Sequence, residues 1–336
     1  MLVDGGIGLD PSDAVLTAER AEADGFDGVW AAETSHDPFV HLALAAEHTR
    51  RVELGTGIAV AFARNPMSMA VVANDLQALS RGRFMLGLGS QIKPHIEKRY
   101  SMPWSSPAAR MREYVAAMRA IWGAWNDGEK LRFKGDFYTH TLMTPMFDPG
   151  RNPFGAPKVF VAAVGERMTE VAGEVGDGLL AHGFTTERYM RDVTMPAFER
   201  GLAASGRRRA DVEVSYPAMI VTGLDDTEMK QAAAAVKAQL AFYGSTPAYA
   251  PVLERHGWGE LHTELNRLSK RGEWATMATL IDDDVVDAFA VVGTPEEVPG
   301  KLLGRFGDLV TRVSFYAPYR MPRERWTGML EALRRA

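Results

Sequence analysis

The sequence predicts a single (β/α)8 barrel, also called a TIM barrel, that carries insertions. Short apolar runs typical of strands alternate with amphipathic helical segments, and eight such strand runs can be counted. Strict alternation of strands and helices predicts a parallel sheet, and eight repeats predict that the sheet closes. The length of 336 residues suits a barrel with additional segments. An open doubly wound sheet is the alternative arrangement for the same alternation.

The first part of the chain holds three regular strand–helix units and a fourth strand. The strands are predicted near residues 2, 28, 54 and 84, where runs such as GVWAA and RFMLGLG occur. Helices are predicted over residues 11–24, 40–49 and 67–80, where apolar residues recur at helical spacing. The central stretch, VELGTGIAVAFARNPMSMAVVANDLQALSRGRFMLGLGSQ, is therefore a strand, a helix and a parallel strand.

The second part is interrupted by two irregular regions. Residues 92–155 are rich in proline and aromatic residues around one helix over 108–125, and they predict a functional lid. Strands follow near residues 159, 178, 213 and 311. Residues 225–287 are rich in helix and predict an inserted subdomain, and a last helix is expected from residue 323. The prediction is one domain, residues 1–336, with these two insertions.

The composition limits the classes of function. Hydrophobic residues make up 46% and charged residues 24%, which is typical of a soluble globular protein. A net charge of −5 argues against nucleic acid as the main partner. The apolar runs are shorter than the roughly 20 residues of a membrane helix. The absence of cysteine excludes disulfides and thiolate-ligated metals, and the histidines form no metal-binding motif. Without a leader pattern, a cytoplasmic location is expected.

Several polar or small residues stand where strands end, which is where such barrels keep their active sites. Glu33 closes the second strand, and a buried carboxylate is costly unless it is paired or used. His36, three residues later, could share its pocket. The alternative is a carboxylate that water solvates at the barrel rim.

Glycines in the third and fourth strands exceed what a scaffold needs. Gly55 and Gly57 interrupt an apolar strand and indicate a bulge or a close approach by a ligand. Gly87 and Gly89 lack the third glycine of a dinucleotide fingerprint, which argues against a Rossmann-type site. Gly87 and Gly89 therefore indicate either tight packing at the barrel rim or the close approach of a ligand.

Two further stretches are candidates for binding. The turn Val164–Arg167 joins the fifth strand to its helix, and a helix N-terminus with glycine and arginine suits an anion. The alternative is an ordinary turn with a solvated arginine. Beyond the fourth strand, the polar residues Gln91, Lys93 and His95 are expected to face the barrel mouth, and the alternative for at least one of them is the solvated surface.

Four motifs in order resemble the bacterial luciferase-like superfamily of flavin and deazaflavin oxidoreductases. They are FDGVWAAETSHDPF, LGTGIAVAFARNP, LSRGRFMLGLGSQ and VFVAAVGERMTEVAGEVGDGLL. Within that superfamily the chain resembles the coenzyme F420-dependent oxidoreductases, the group of methylene-tetrahydromethanopterin reductase and F420-dependent glucose-6-phosphate dehydrogenase. The motifs are specific to the superfamily, and the cofactor follows less directly from them.

The resemblance implies a bulge with a non-prolyl cis peptide behind the central ring of coenzyme F420. By position the bond is Gly57–Ile58, with Thr56–Gly57 as the other register. The rim residues Gly89, Ser90 and Gln91 would lie beside that ring.

The resemblance also implies roles for the residues around the coenzyme. Glu33 would lie near the ring, and Ala163–Arg167, which includes Val164, Gly165 and Glu166, would hold the phosphate of the coenzyme. Thr34 stands where sugar-phosphate dehydrogenases carry a catalytic histidine, which argues against sugar-phosphate chemistry. A homodimer is also implied.

The implied function is hydride transfer between F420 and a small organic substrate. Glu33 or His36 would position or protonate the reacting group. Lys93, His95 and Tyr100 are candidates for the substrate pocket, while Trp104, Phe137 and Tyr138 either line it or pack within the lid. Two alternatives remain, namely an FMN-dependent monooxygenase of the same fold and a non-catalytic flavin- or deazaflavin-binding protein.

Overall fold

All eight predicted strands are present in the computed structural model, which describes residues 1–335. The barrel strands are β1 (Leu2–Gly6), β2 (Gly28–Ala31), β3 (Glu53–Thr56), β4 (Phe84–Gly89), β5 (Lys158–Ala163), β6 (Gly178–Ala181), β7 (Glu213–Val221) and β8 (Arg312–Tyr316). Each strand pairs in parallel with the next, and β8 pairs with β1. The sheet is therefore closed, which confirms the (β/α)8 barrel and excludes the open sheet.

Helices follow the strands as the apolar spacing predicts. The main helices are Ala14–Asp24, Pro38–His48, Pro66–Leu79, Pro107–Asp127, Glu166–Val175, Met195–Ala204, Val298–Phe306 and the terminal Arg323–Arg335. The turns Glu187–Tyr189 and Met190–Thr194 lead into Met195–Ala204. The predicted boundaries of the second and third helices agree with the structure to within two residues, which is the usual uncertainty of helix ends, and the first helix is preceded by a separate 3-10 turn, Pro11–Asp13.

The helix Pro66–Leu79 has sequence signals at both ends, which explains why its boundaries can be predicted. The side chain of Asn65 accepts a hydrogen bond from the Ser68 N–H, and Pro66 occupies the first turn, where its missing N–H costs nothing. After the helix, Gly82 adopts a φ of +86°, a left-handed conformation that suits glycine. The chain then enters β4 directly.

The amino end of the barrel is closed by ion pairs. Arg312, the first residue of β8, is fully buried. Its guanidinium donates two hydrogen bonds to Asp4 of β1, at 2.8 and 2.9 Å, and others to Glu53 of β3 at 2.5 Å and Glu213 of β7 at 2.9 Å. Lys158 of β5 donates to Glu213 at 2.6 Å. Arg312 thus contacts three carboxylates from three strands, and Lys158 from a further strand joins the network through Glu213.

The surroundings of this network make room for it. An added Cβ on Gly28 would lie 2.7 Å from the Arg312 guanidinium, so glycine is needed there. The indole N–H of Trp30 donates to Asp4 at 2.9 Å. Burial raises the pKa of Asp4, although the hydrogen bonds from Arg312 and Trp30 oppose that rise.

The second insertion is helical, as predicted for residues 225–287. It contains Asp226–Gly244, Ala250–Glu254, Gly259–Ser269, Trp274–Thr279 and Asp283–Phe289. A short strand, Ala290–Val292, then pairs with the end of β7. The insertion has its own apolar cluster, in which Phe184, Met219 and Val221 from the barrel pack with Leu240, Leu253 and Leu265. It is therefore seated on the carboxyl ends of β6 and β7.

The first insertion combines a barrel helix with irregular segments. It includes a helical turn, His95–Arg99, the helix Pro107–Asp127 and a hairpin of Phe133–Lys134 with Thr139–His140. The Glu113 carboxylate accepts hydrogen bonds from the N–H groups of residues 136, 137 and 138. The hairpin is thus held against the start of the helix Pro107–Asp127.

Candidate active site

The third strand ends in a bulge at the carboxyl end of the barrel. The peptide bond Gly57–Ile58 is cis, which confirms the first of the two predicted registers; Thr56–Gly57 is not cis. The Gly57 N–H donates to the Ala31 carbonyl at 2.8 Å, and the Ile58 carbonyl accepts from the Glu33 N–H at 3.1 Å. The strand resumes as Ala59–Val60, which pairs with β4. The strand is therefore interrupted at residues 57–58, which confirms the predicted bulge.

Thr56 stabilises the bulge from inside the sheet. Its fully buried hydroxyl donates to the Gly87 carbonyl at 2.7 Å and accepts from the Gly87 N–H at 2.8 Å. The side chain thereby satisfies the backbone groups that the interrupted strand leaves unpaired. The Thr56 hydroxyl thus already donates one hydrogen bond and accepts another within the sheet. The predicted contact of Thr56 with a cofactor would therefore come from its backbone.

The glycines around the bulge are required by the protein's own packing. A Cβ on Gly55 would lie 2.3 Å from the Trp30 ring, and one on Gly87 would lie 2.0 Å from the Thr56 carbonyl oxygen. A Cβ on Gly89 would lie 2.8 Å from Ile58. For Gly55 the expected approach of a ligand is wrong, because a tryptophan fills that space. For the Gly87 and Gly89 pair, tight packing at the rim is the reading that the structure supports.

Glu33 connects the bulge with the lid. One carboxylate oxygen accepts hydrogen bonds from the Val60 N–H at 2.8 Å and from Arg64 at 2.7 Å, and the other accepts from the Tyr100 hydroxyl at 3.1 Å. The side chain is only 6% exposed. The carboxylate is thus buried and paired on both oxygens. Tyr100, predicted as a pocket residue, is brought to Glu33.

Arg64, the cationic partner of Glu33, was not predicted from the sequence. It also pairs with Asp37 at 2.7 Å and lies over the Phe39 ring at 5.4 Å. Burial alone would lower the pKa of Arg64, but the hydrogen bonds that it donates to Glu33 and Asp37 outweigh this effect and raise that pKa. Burial and the neighbouring Glu33 charge raise the pKa of Tyr100. The signal that could have found Arg64 is the need of a buried Glu33 for a cation.

His36 does not join this group. It is exposed, its ring lies 6.2 Å from that of His41, and within residues 1–335 it makes no hydrogen bond to Glu33. The expected sharing of a pocket is wrong, because Arg64 and Tyr100 occupy the positions beside the carboxylate. A catalytic role of His36 stays a prediction.

The residues after β4 form a polar loop at the same barrel end. Gln91 has a φ of +60°, and its side-chain oxygen accepts from the Ile92 N–H at 3.0 Å, while the Ser90 hydroxyl donates to the Gln91 carbonyl at 3.1 Å. Lys93 is 3.8 Å from Glu97, and His95 is exposed. These side chains lie near the rim, and their contacts are with one another or with solvent.

Two aromatic residues of the lid pack edge-on against other aromatic rings. Trp104 meets the Phe62 ring edge-on, with centroids 5.8 Å apart, and Tyr138 meets Tyr114 in the same way at 5.5 Å. Arg110 donates to the Tyr138 hydroxyl at 2.8 Å. Tyr138 therefore packs within the lid, whereas Trp104 packs against Phe62, which lies outside the lid in the turn after the third strand.

The turn between β5 and its helix presents free backbone donors. The helix Glu166–Val175 starts at Gly165, and within the described chain no side chain caps it. The first N–H groups of a helix have no intrahelical partner. An added Cβ on Gly165 would meet nothing within 4 Å, and Arg167 is exposed without an ion pair among residues 1–335. Glu166 pairs with Arg200 at 3.0 Å, and Ala163 is buried.

A second group at the carboxyl end was also missed. His182 directly follows β6, Tyr316 ends β8, and Tyr243 and Tyr249 come from the helical insertion. His182 stacks on Tyr249 with ring centroids 4.6 Å apart and meets Tyr243 edge-on at 4.9 Å. The sequence could not predict this cluster, because its four residues are far apart along the chain and belong to no common short motif.

Over residues 1–335 no group of three or more histidine, aspartate or glutamate side chains is placed to hold a metal ion. None of the helices in that range combines the length and apolar character of a membrane span.

The closed (β/α)8 barrel and the cis bulge at the end of its third strand agree with the predicted resemblance to the luciferase-like superfamily. The family model for luciferase-like monooxygenases matches residues 3–312, and the chain belongs to this family. It is an oxidoreductase family.

Three proteins are similar to this chain in sequence or in structure. An uncharacterised protein of Mycobacterium tuberculosis is 59% identical over 311 residues, covering 93% of this chain and 92% of that protein. The 5,10-methylenetetrahydromethanopterin reductase of Archaeoglobus fulgidus is 30% identical over 288 residues, covering 83% and 81%. The solved structure of the coenzyme F420-dependent tetrahydromethanopterin reductase of Methanopyrus kandleri superposes with a TM-score of 0.80 at 23% identity, covering 98% and 97%. The latter likeness concerns the fold.

Proposed function

We propose that this protein is an F420-dependent oxidoreductase that transfers a hydride between the deazaflavin coenzyme and a small organic substrate. The bulge at Gly57–Ile58 carries the proposal, because it lies at the carboxyl end of β3 where a tricyclic ring would need a flat backing. A Mycobacterium tuberculosis protein that is named as a coenzyme F420-dependent oxidoreductase is 30% identical over 303 residues, which supports the choice of F420.

The donor set at the turn after β5 suits the phosphate of such a coenzyme. Gly165 leaves open space, and the N–H groups that follow it are the uncapped start of a helix, where the helix dipole favours negative charge. Arg167 is available as a cationic partner in the described chain. We therefore assign the phosphate to Gly165–Arg167, including Glu166 through its backbone, and the ring to the bulge and to Gly89, Ser90 and Gln91 of the rim.

When bound, F420 would supply a hydride donor or acceptor at its central ring carbon. The residues of the chain would orient the reactants and exclude water. Glu33 holds Val60 behind the bulge and Tyr100 in the lid, so its role would be to keep the backing surface rigid. Since both of its oxygens are paired, we propose it as a positioning residue rather than as the proton donor. Lys93, His95 and Tyr100 remain candidates for the substrate side.

The direct test is a comparison of cofactor affinity. The apoprotein is titrated with F420 and separately with FMN, and binding is followed by fluorescence. We expect tight F420 binding and much weaker FMN binding. Tight FMN binding with negligible F420 binding would overturn the proposal.

A substitution at Arg167 tests whether the turn after β5 binds the phosphate of the coenzyme. Arg167→Gln is expected to weaken F420 binding about tenfold, since one charge-assisted contact is lost. Arg112→Gln is the control, because Arg112 is also partly exposed but is paired with Glu174 at 2.6 Å. Equal losses in the two variants would contradict the assignment of the turn.

The rival within the family is an FMN-dependent monooxygenase, which the name of the matching family model favours. Oxygen uptake in the presence of reduced FMN would support it, and its absence together with F420 turnover would exclude it. A non-catalytic cofactor-binding protein would bind F420 but turn over no substrate of a broad panel.

A further inference from the structure

The proposed function leaves one group at the barrel mouth without a role, namely His182, Tyr243, Tyr249 and Tyr316. All four side chains are partly exposed. An added Cβ on Gly183, the residue after His182, would lie 3.2 Å from the Tyr316 ring, so the ends of β6 and β8 come close together here. The two other tyrosines reach the same place from the helical insertion.

The hydrogen bonds of His182 determine its tautomer. Its Nδ1 accepts from the Phe184 N–H at 3.0 Å, so this nitrogen carries a lone pair. The proton of the neutral ring is then on Nε2, which lies 3.1 Å from the Tyr249 hydroxyl oxygen and donates to it. Burial lowers the pKa of His182 to about 4, which keeps the ring neutral at physiological pH.

This arrangement leaves the proton of Tyr249 unused. Its oxygen accepts from His182, and within residues 1–335 the hydroxyl has no other partner. Burial raises the pKa of Tyr249 to about 12, so the hydroxyl stays protonated. The ring is held in place by stacking on His182. Tyr249 is therefore a fixed, neutral hydrogen-bond donor.

The second pair offers another donor. The hydroxyls of Tyr243 and Tyr316 are 2.9 Å apart, and either can donate to the other. Two hydroxyls carry two protons and one hydrogen bond uses only one of them, so one O–H remains free in the described chain. Burial raises the pKa of Tyr316 strongly, which again keeps this donor neutral.

The position of the cluster points to the substrate. In a closed barrel of eight strands, β6 to β8 lie across the mouth from β2 to β4, which carry the bulge and Glu33. A ring backed by the bulge would leave its other side toward this cluster. The cluster presents aromatic faces with uncharged donors, so it suits an apolar compound that carries an oxygen acceptor.

We propose that His182, Tyr243, Tyr249 and Tyr316 form a substrate subsite for an uncharged, oxygen-bearing carbon compound, such as a ketone or an alcohol. The substrate oxygen accepts the hydroxyl protons of Tyr249 and of the Tyr243–Tyr316 pair, and His182 acts as the positioning residue of Tyr249. The assignment rests on the proposed function for its place in the reaction. The binding of the oxygen by tyrosine can be measured without turnover.

The test compares two probes of nearly equal shape, cyclohexanone and methylenecyclohexane, which differ in the oxygen. Their dissociation constants are measured by ligand-observed NMR on the full chain, with and without F420. We expect the ketone to bind more tightly than the hydrocarbon. Tyr249→Phe and Tyr316→Phe should each weaken ketone binding about tenfold and leave the hydrocarbon within about twofold, since a phenylalanine keeps the ring.

Two further measurements separate the subsite from general structural effects. Tyr138→Phe, which removes a hydroxyl bonded to Arg110 in the lid, should leave both probes unaffected. Nitrogen NMR of His182 should show a neutral ring protonated at Nε2 from pH 6 to 9. Equal losses for the two probes, no preference for the ketone with or without F420, or a proton on Nδ1 would each overturn the subsite. A failure of F420 to bind would contradict the proposed function alone.

Discussion

Arg312 and Arg64 each hold carboxylates from other parts of the barrel, but at opposite ends and in different ways. Arg312 at the amino end is fully buried and contacts Asp4, Glu53 and Glu213. Arg64 at the carboxyl end is 21% exposed and pairs with Glu33 and Asp37. The first network contacts strands only, while the second reaches the lid through Tyr100. The amino-end network therefore ties strands of the barrel together, while the carboxyl-end network joins the barrel to the lid beside the proposed cofactor site.

The largest expected effect concerns the amino end. Arg312→Met would leave three carboxylates around a buried position without their cation, and we expect a loss of about 3–5 kcal/mol in the free energy of unfolding. Urea unfolding followed by circular dichroism measures it. Arg119→Met, which breaks an ion pair with Asp177 at the surface, is the control and should change stability by about 0.5 kcal/mol or less. Similar losses in both variants would show that the amino-end network is dispensable.

A smaller loss of stability is expected at the carboxyl end. Glu33→Gln removes the charge, while Arg64 keeps Asp37 as a partner and some access to water, so we expect about 1–3 kcal/mol. We also expect weaker F420 binding, because Val60 behind the bulge loses a strong acceptor. Asp37→Asn is the matched control, since asparagine preserves the helix cap while the ion pair is lost. A loss as large as that of Arg312→Met, with unchanged F420 affinity, would remove the distinction between the two ends.

The smallest effect concerns the pH dependence of stability. Burial would raise the pKa of Glu213, but the hydrogen bonds from Lys158 and Arg312 outweigh it and lower that pKa below the ordinary 4.5. A lowered pKa means that the folded protein prefers the ionised form, so this contribution is complete above pH 4.5 and disappears as the pH falls further. The stability difference between wild type and Glu213→Gln should therefore be constant above about pH 5 and shrink below it. Urea unfolding at several pH values tests this, with the exposed Glu260→Gln as control, and a difference that grows toward acid would contradict it.

The two ends also differ in what the sequence alone could predict. The barrel strands and helices follow from local periodicity, and the bulge at Gly57–Ile58 follows from a resemblance carried by LGTGIAVA. Glu33 was recognised because a carboxylate at a buried strand end demands an explanation. Its partner Arg64 was not recognised, since 31 positions separate them and only the parallel pairing of the strands brings both turns to one rim.

The networks that combine distant residues could not be predicted at all. Asp4 and Arg312 are ordinary charged residues at opposite ends of the sequence, and nothing local indicates that they meet. The same holds for His182 and Tyr316, whose roles depend on how the insertion rests on the barrel. The exposed position of His36 could not be predicted either. His36 lies three residues after Glu33 in an irregular loop, and that spacing does not determine where its side chain points.

The ion pair between Asp4 and Arg312 also bears on how the protein is made. Its partners are 308 positions apart, and they belong to the two strands that close the barrel. During synthesis, the first strand therefore waits for nearly the whole chain before its buried carboxylate receives a cation. Contacts of such sequence separation are slow to form, because loop closure must precede them. The pairing of β1 with β8, and with it the neutralisation of Asp4, is therefore expected among the last steps of barrel formation.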